Sequence, residues 1–206
     1  MRDRGQTLFC LSIDKLQISS YYCSFTMTTL TSAEFFARVW PARLMKNETL
    51  ELRVKDQREG KMFSEFFSSV PEFINRVHQY QKEGRHDIFF GVATRSSRHS
   101  GKKKDCMRVQ CVWVDLDKRQ IPQLDMKPKP SILVESGTGV HAYWILDCPL
   151  LVQNEERWKE IEAVNRGLVS RFDGDDGAID VSRILRVPNT LNYKYTPPRS
   201  VRAYLP

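Results

Sequence analysis

The stretch from Cys111 to Asp117 constrains this chain most, because an apolar run there ends in two carboxylates one residue apart. Its β-branched and aromatic residues predict a buried strand. Side chains alternate between faces along a strand, so Asp115 and Asp117 should point the same way. Two like charges on one face favour a cation between them, and carboxylate oxygens suit Mg²⁺ or Mn²⁺. The alternative is a strand that ends in a solvated turn, helped by Lys118 and Arg119.

Composition limits the class of protein. With 206 residues, 41% of them hydrophobic, the chain can build one large domain or one domain with an added unit. A net charge of +7 favours a polyanionic partner. Five cysteines without regular spacing fit a reducing cytoplasm better than a disulfide framework. No apolar run approaches the ~20 residues that span a bilayer, so we expect a cytoplasmic protein with no membrane partner.

The chain is expected to divide into a leader and one folded domain. Residues 1–26 carry a short, interrupted apolar patch without a cleavage site, which predicts a poorly ordered leader or upstream extension. The alternative is a short helix packed on the outside. Residues 27–206 form the predicted domain, with an N-terminal unit over about 27–86 and a metal-binding core over about 87–206.

Periodicity and turn residues predict the secondary structure. Strands are predicted at 49–56, 87–95, 111–116, 131–135, 140–146 and 200–205. Helices are predicted after Thr31 or Ser32, from Pro71 to Gly84, after Asn154 and over 181–187. The strands 131–135 and 140–146 are separated by a glycine turn and should pair as a hairpin.

The hairpin turn, Ser136-Gly137-Thr138-Gly139-Val140-His141, is the second polar feature. Exposed N–H groups of such a turn, together with His141, are suited to binding phosphate. Ser136 either contacts phosphate or shapes the turn. The alternative for His141 is a hydrogen-bonded strand histidine with no ligand.

An isolated aspartate, Asp180, is followed by the basic residues Arg183, Arg186 and Lys194. Asp180 is a further candidate metal ligand, and the basic residues could neutralise a triphosphate. Asp180 is also a good N-cap for a helix over 181–187, and Arg183 would then be its ion-pair partner. We expect one arginine to face the site and the other a structural carboxylate. Lys194 has plain surface as its alternative.

A basic loop precedes the aspartate strand and is the candidate template contact. The residues predicted to bind DNA are Arg95, Arg98, Lys102, Lys103 and Lys104. Binding through such residues should weaken with salt, because it releases counterions. The alternative is a solvated, flexible loop.

In their order along the chain, Asp115-Leu116-Asp117, the turn 136–141 and Ile179-Asp180 resemble the three motifs of the archaeo-eukaryotic primase superfamily. The resemblance is to primase-polymerase domains of plasmids, phages and other mobile elements, and it covers about residues 49–206. It implies an α/β (α+β) fold. That fold has an open-sheet core like an RNA-recognition motif, helices on one face and a smaller N-terminal α/β unit.

The resemblance also implies a function, template-directed nucleotidyl transfer by a DNA primase and polymerase that starts primers de novo. Two Mg²⁺ or Mn²⁺ ions would be held by the catalytic residues Asp115, Asp117 and Asp180. The residues expected to bind nucleotide are Ser136, Gly137, Gly139, His141, Arg183, Arg186 and Lys194. The expected partners are single-stranded DNA template and primer, dNTP or NTP, and a helicase or helical module encoded downstream.

Two alternatives of other classes remain. The first is a replication initiator or single-strand binding module on the same fold, although a module that only binds has no use for the carboxylates together. The second is another metal enzyme. A nucleotide-sugar transferase does not explain the later hairpin, and a rolling-circle nickase needs a His-x-His pair that the sequence lacks.

Overall fold

A computed structural model of the protein describes residues 27–96, 100–121 and 124–206. The predictions for residues 1–26 and for Arg98 lie outside the described residues. The helices in these ranges are α1 (Ser32–Val39), α2 (Val70–Glu83) and α3 (Glu155–Phe172). The strands are β1 (Thr28–Leu30), β2 (Leu50–Asp56), β3 (Met62–Phe67), β4 (His86–Gly91), β5 (Arg108–Asp117), β6 (Ile132–Glu135), β7 (Gly139–Leu151), β8 (Ile184–Arg186), β9 (Leu191–Asn192), β10 (Arg199–Ser200) and β11 (Arg202–Leu205).

Most strands belong to two antiparallel sheets. One sheet has the order β1-β11-β6-β7-β5, the other has the order β3-β2-β4-β8, and β9 pairs with β10 in a two-stranded sheet. Each sheet combines strands from distant parts of the chain. The strand β8 pairs with β4 in the sheet that also holds β2 and β3, and β1 pairs with β11 in the five-stranded sheet. The predicted division near residue 86 therefore does not coincide with a boundary between the sheets. The predicted mixed α/β fold class is confirmed.

The helices begin and end where their capping residues predict. Thr31 and Glu34 form a capping box at the start of α1. The second helix has proline in its first turn and ends at Gly84, whose φ of 66° is in the left-handed region. The side chain of Asn154 accepts a hydrogen bond from the N–H of Arg157 and caps α3. None of these helices is long and apolar enough to cross a membrane.

The aspartate strand β5 separates two apolar layers. Val112, Val114 and Leu116 pack with the buried residues of α3. The opposite face, which carries Trp113, packs with α1 and the second sheet in a separate apolar cluster. Because side chains alternate along β5, Asp115 lies on the same face as Trp113, between the two sheets.

The predicted helix over 181–187 is wrong. The segment forms a turn followed by β8, whose Leu185 pairs with Phe90 of β4. The carboxylate of Asp180 accepts the N–H of Ser182 at 3.1 Å and closes a local turn, where a helix cap would reach one residue further. The edge of β4 then supplies the hydrogen bonds that a helix would have made internally.

The predicted DNA contact of Arg95 is also wrong, because its side chain is fully buried. Its Nε donates to Glu51 Oε2 at 2.9 Å, and Nη1 donates to the carbonyl of Ala93 at 2.6 Å. Its Nη2 donates to the carbonyl of Ser182 at 3.1 Å. Since Glu51 is fully buried too, the pair joins β2 to the turn before β8 without access to solvent. A phosphate cannot reach this guanidinium.

Replacing Arg95 should therefore destabilise the fold. We expect Arg95→Met to lower the free energy of unfolding by about 3 kcal/mol, because Glu51 Oε2 loses its arginine partner in a buried place while Arg53 holds only Oε1. Urea unfolding at neutral pH measures the difference. Lys61→Met is the control, because Lys61 and its partner Glu59 are exposed and should contribute little. Equal stability of Arg95→Met and the wild type would contradict the structural role.

Candidate active site

The register between β5 and β7 sets the first two polar motifs against each other. Asp115 pairs with His141, and Asp117 pairs with Gly139. His141 Nε2 lies 3.7 Å from Asp115 Oδ1, and the Asp115 side chain is 17% exposed, so the pair borders solvent. A β-carbon at Gly139 would lie 2.2 Å from the carbonyl oxygen of Leu116, so only glycine permits this approach.

The third motif is tied to the outer edge of β5. The N–H of Asp175 donates to the carbonyl of Asp115 at 2.8 Å. Two residues earlier on β5, the side chain of Trp113 donates from Nε1 to the carbonyl of Ala178 at 2.8 Å. The segment that leads to Asp180 therefore runs beside the strand, and it brings Asp180 to the same edge of the sheet as Asp115.

Asn165 joins β5 to the segment that leads to Asp180 by side-chain hydrogen bonds, a role that the sequence patterns above do not predict. Its side-chain oxygen accepts the N–H of Trp113 at 3.1 Å, and its amide nitrogen donates to the carbonyl of Ile179 at 3.1 Å. The residue is fully buried on α3. The sequence does carry one indication of this role, an asparagine beside Val164 in the apolar stripe of a helix. An amide at such a position is buried, and buried amides are hydrogen-bonded.

The three predicted metal ligands share this edge but do not form one compact ligand group. Across the described ranges, no three His, Cys, Asp or Glu side chains stand close enough together to hold a metal ion. Asp180 Oδ1 is engaged by the N–H and the hydroxyl of Ser182, the latter at 2.5 Å. In the same ranges none of Asp115, Asp117 and Asp180 has a lysine or arginine at ion-pair distance. Three carboxylates without a cationic partner are unexpected in a chain with a net charge of +7.

The glycine turn is closed by Ser136. Its hydroxyl accepts the N–H of Gly139 at 3.1 Å and that of Thr138 at 3.5 Å, and it donates to the carbonyl of Gly139. The prediction of exposed turn N–H groups is therefore wrong for these two. Ser136 shapes the turn, the second of its two expected roles. Gly137 has a φ of 84°, which favours glycine.

Both motif arginines have carboxylate partners in the structure. Arg186 donates to Asp87 Oδ1 at 2.7 Å and lies over the ring of Phe89. Arg183 lies 3.5 Å from Asp175 Oδ2 and donates to the carbonyl of Gly177. The alternative ion pair of Arg183 with the preceding aspartate of its motif is not formed. The Asp175 contact is long and half-exposed, so Arg183 is the arginine better able to turn toward a ligand.

The remaining basic residues are spread over the surface. Lys194 is exposed, as are Lys102 and Lys104. Lys103 Nζ lies 2.6 Å from Glu162 Oε1, which also accepts the N–H of Val181. The basic loop thus lies beside the segment of the third motif, at the end of β5 opposite to Asp117.

His141 is held neutral by its surroundings. Burial lowers its pKa below the usual range, Asp115 opposes that shift, and Arg186 and Arg183 add to it. Its Nδ1 is buried and has no hydrogen-bond partner within the described residues. The side chain therefore keeps a buried polar atom without a protein partner, which an enclosed water molecule would satisfy.

The buried neutral His141 should make stability fall with acid. Its pKa is lower in the folded protein than in the unfolded chain, so the unfolded chain binds the proton first, and stability present above about pH 6.5 is lost below it. We expect the free energy of unfolding to fall less between pH 7.5 and 5 in His141→Gln than in the wild type, as measured by urea unfolding. His78→Gln, at an exposed position, should fall as the wild type does. An unchanged acid loss in His141→Gln would contradict this account.

Sequence comparison finds a relative that matches part of the chain. No family model matches the chain. Over 95 residues it is 32% identical to a replication protein of Clostridium perfringens, a stretch that covers 46% of this chain and 21% of that relative. The match thus spans about a fifth of the relative's length.

Solved structures decide the fold. The archaeo-eukaryotic primase (AEP) domain of the cyanophage S-2L primase-polymerase matches with a TM-score of 0.58 at 13% identity, over 75% of this chain and 80% of that one. The catalytic domain of the primase RepB′, in complex with initiator DNA, matches with a TM-score of 0.54 at 20% identity over 74% of each chain. This chain has the fold of primase-polymerase catalytic domains. The resemblance drawn from the three motifs is confirmed at the level of the fold.

Proposed function

We propose that this protein is a template-directed nucleotidyltransferase, a DNA primase and polymerase that also starts primers de novo. The observation that carries the proposal is the register that sets Asp115 against His141, with Asp117 and Asp180 at the same edge. Among the residues that the structure describes, no lysine or arginine pairs with any of the three carboxylates. The similarity of fold to primase-polymerase domains supports it. The substrates would be (d)NTPs and a single-stranded template.

The donor set fits a divalent metal in its chemistry. Asp115 and Asp117 are partly or fully exposed carboxylates on one face of a rigid strand, and Asp180 adds a third from the neighbouring segment. These residues would hold Mg²⁺ or Mn²⁺, and Asp180 would turn one oxygen away from Ser182 to take part. Two such ions, when bound, lower the charge barrier to attack by a 3′-hydroxyl and to departure of pyrophosphate.

The other residues of the cleft would bind and orient the nucleotide. His141 is neutral, and its Nε2, which lies beside the partly exposed Asp115, can donate a hydrogen bond to a phosphate oxygen. Arg183 can exchange its long contact with Asp175 for a phosphate, because a charge-assisted bond to phosphate is shorter and stronger. Arg186 is held by Asp87 and contributes its charge from a fixed position. Lys194, which is exposed, would join them at the surface.

Template and primer are proposed as single-stranded DNA, since the RepB′ domain was solved with initiator DNA. Lys102 and Lys104 are the exposed members of the basic loop and would contact the phosphate backbone. A helicase or helical module as partner is part of the proposal too, because the replication protein of Clostridium perfringens is much longer than its matched stretch.

Removal of the carboxylate pair tests the chemistry. Asp115→Asn plus Asp117→Asn should lower nucleotide incorporation at least 10³-fold, on the order of a lost catalytic constellation. Incorporation is measured with labelled dNTP or NTP on a single-stranded template, with and without primer, in Mn²⁺ or Mg²⁺. Asp147→Asn, an exposed aspartate on β7, is the matched control and should retain activity.

The same assay separates the polymerase from a binding module. If the wild type binds template and yields no product in either metal, and the double variant binds equally well, the protein is a replication initiator or single-strand binding module. That second candidate is favoured by one observation, the lack of a compact three-ligand group in the described ranges.

The salt dependence of binding tests the basic loop. A protein that binds a single strand releases counterions at each phosphate that it contacts. Each contact therefore adds about 0.7 to the magnitude of the slope of log K against log salt. We expect Lys102→Ala plus Lys104→Ala to lower that slope by roughly 1.4. Fluorescence anisotropy of a labelled oligonucleotide from 50 to 200 mM salt, about the range over which such binding weakens strongly, measures it. Lys61→Ala plus Lys82→Ala, both exposed elsewhere, should leave the slope unchanged, and an equal change in both double variants would exclude the loop as the contact.

A further inference from the structure

The short hairpin of β9 and β10 clamps the glycine turn. Asn192 and Arg199 are direct partners in this hairpin, so their side chains leave it on the same face. Asn192 Nδ2 donates to the carbonyl of Ser136 at 2.8 Å, and Arg199 Nη1 donates to the carbonyl of Gly137 at 2.8 Å. A β-carbon at Gly137 would lie 3.0 Å from Arg199 Cβ, so the hairpin lies directly on the turn.

The hairpin reaches the turn from the side of the second sheet. The N–H of Tyr193, next to Asn192, donates to Asp87 Oδ1, and Asp87 belongs to β4. Asp115 and His141 face that same side of the five-stranded sheet. Arg199 therefore stands where the glycine turn opens toward the candidate active site.

The charge of Arg199 is not neutralised by the chain as described. Within residues 27–96, 100–121 and 124–206, Arg183 pairs with Asp175 and Arg186 pairs with Asp87, and Arg199 has no carboxylate at ion-pair distance. Its guanidinium is exposed and lies 3.8 Å from the ring centroid of Tyr195. The contact with the Tyr195 ring and the N–H donated to the Gly137 carbonyl hold the guanidinium in place, so its other donors are positioned before any ligand arrives.

The turn itself has few donors to offer an anion. The N–H groups of Thr138 and Gly139 are both taken by the Ser136 hydroxyl. A phosphate at this turn would therefore gain from a donor supplied by a neighbouring element. Arg199 is a charged side chain in contact with the turn, and its planar fork matches phosphate oxygens in a bidentate geometry.

We propose that Arg199 is a nucleotide-binding residue that contacts the triphosphate of the incoming nucleotide at the glycine turn, with Tyr195 as the surface that holds its guanidinium flat. This inference rests on the proposed function and adds a residue that lies outside the three motifs. Loss of Arg199 removes one charged contact to phosphate, which corresponds to about a tenfold loss of affinity. Because the contact is made on binding, it should act on KM more than on kcat.

The test compares Arg199→Ala and Arg199→Lys with the wild type. Primer extension in Mn²⁺ gives KM and kcat for dATP, and competition with a fluorescent dATP analogue gives the affinity for inorganic tripolyphosphate. We expect Arg199→Ala to raise KM about tenfold with kcat within about twofold, and to weaken tripolyphosphate binding to a similar extent. Arg199→Lys should lie between the two, because it keeps the charge and loses the flat fork.

Two controls separate phosphate binding from support of the turn. Arg157→Ala removes an exposed arginine of α3 and should change neither quantity. Asn192→Ala removes the other bond of the clamp and the bond from the N–H of Lys194, and it keeps the Arg199 side chain with its own bond to Gly137. An equal loss of tripolyphosphate affinity there would overturn the inference. An Arg199→Ala enzyme with KM and tripolyphosphate affinity both within twofold of the wild type would also overturn it, while wild-type extension leaves the polymerase function standing. A wild type that neither extends primers nor binds dATP would reject both.

Discussion

The antiparallel register between β5 and β7 is the constraint on which the candidate site depends. It places Asp115 opposite His141 and Asp117 opposite Gly139. A slip of one residue would turn both aspartates toward the apolar layer under α3, where they would lose water without gaining a partner. The absent side chain of Gly139 keeps the strands close at the end of the pair, where Leu116 O would otherwise meet a β-carbon. The apolar layer and the glycine therefore fix the positions of the carboxylates.

The outer edge of β5 adds the second constraint. Asp175 and Ala178 bond to the strand directly, and Asn165 bonds to the strand and to the segment at once. Because one helix residue holds both sides, a shift of α3 would move β5 and the segment that leads to Asp180 together. These bonds oppose relative motion of the backbones of the two motifs, while Asp180 needs only a side-chain rotation to leave Ser182.

Much of this architecture follows from local patterns in the sequence. Alternation along β5 was sufficient to place Asp115 and Asp117 on one face, and the capping residues Thr31 and Asn154 were sufficient to begin two helices. Local pattern predicts the wrong structure after Asp180, because an aspartate suits a helix cap and a local turn equally and only the open edge of β4 decides between them.

The other errors concern long-range contacts. The basic loop predicts a surface position for Arg95, because nothing local indicates its partner Glu51, which is 44 residues away and on another strand. Nothing in the spacing of Ser136 and Gly139 showed that the hydroxyl would consume the turn N–H groups. The role of Arg199 depends on a hairpin that approaches from the second sheet, and two-residue strands leave almost no periodic signal.

The hydrogen bonds along the free edge of β5 also affect self-association. A strand at the edge of a sheet exposes backbone donors and acceptors to which another molecule can add a strand. Here the N–H of Trp113 and the carbonyl of Asp115 already have intramolecular partners. The bonds that position the third motif therefore also keep a second copy of the chain from pairing there. This part of the edge is therefore closed to a β-strand approaching with its backbone.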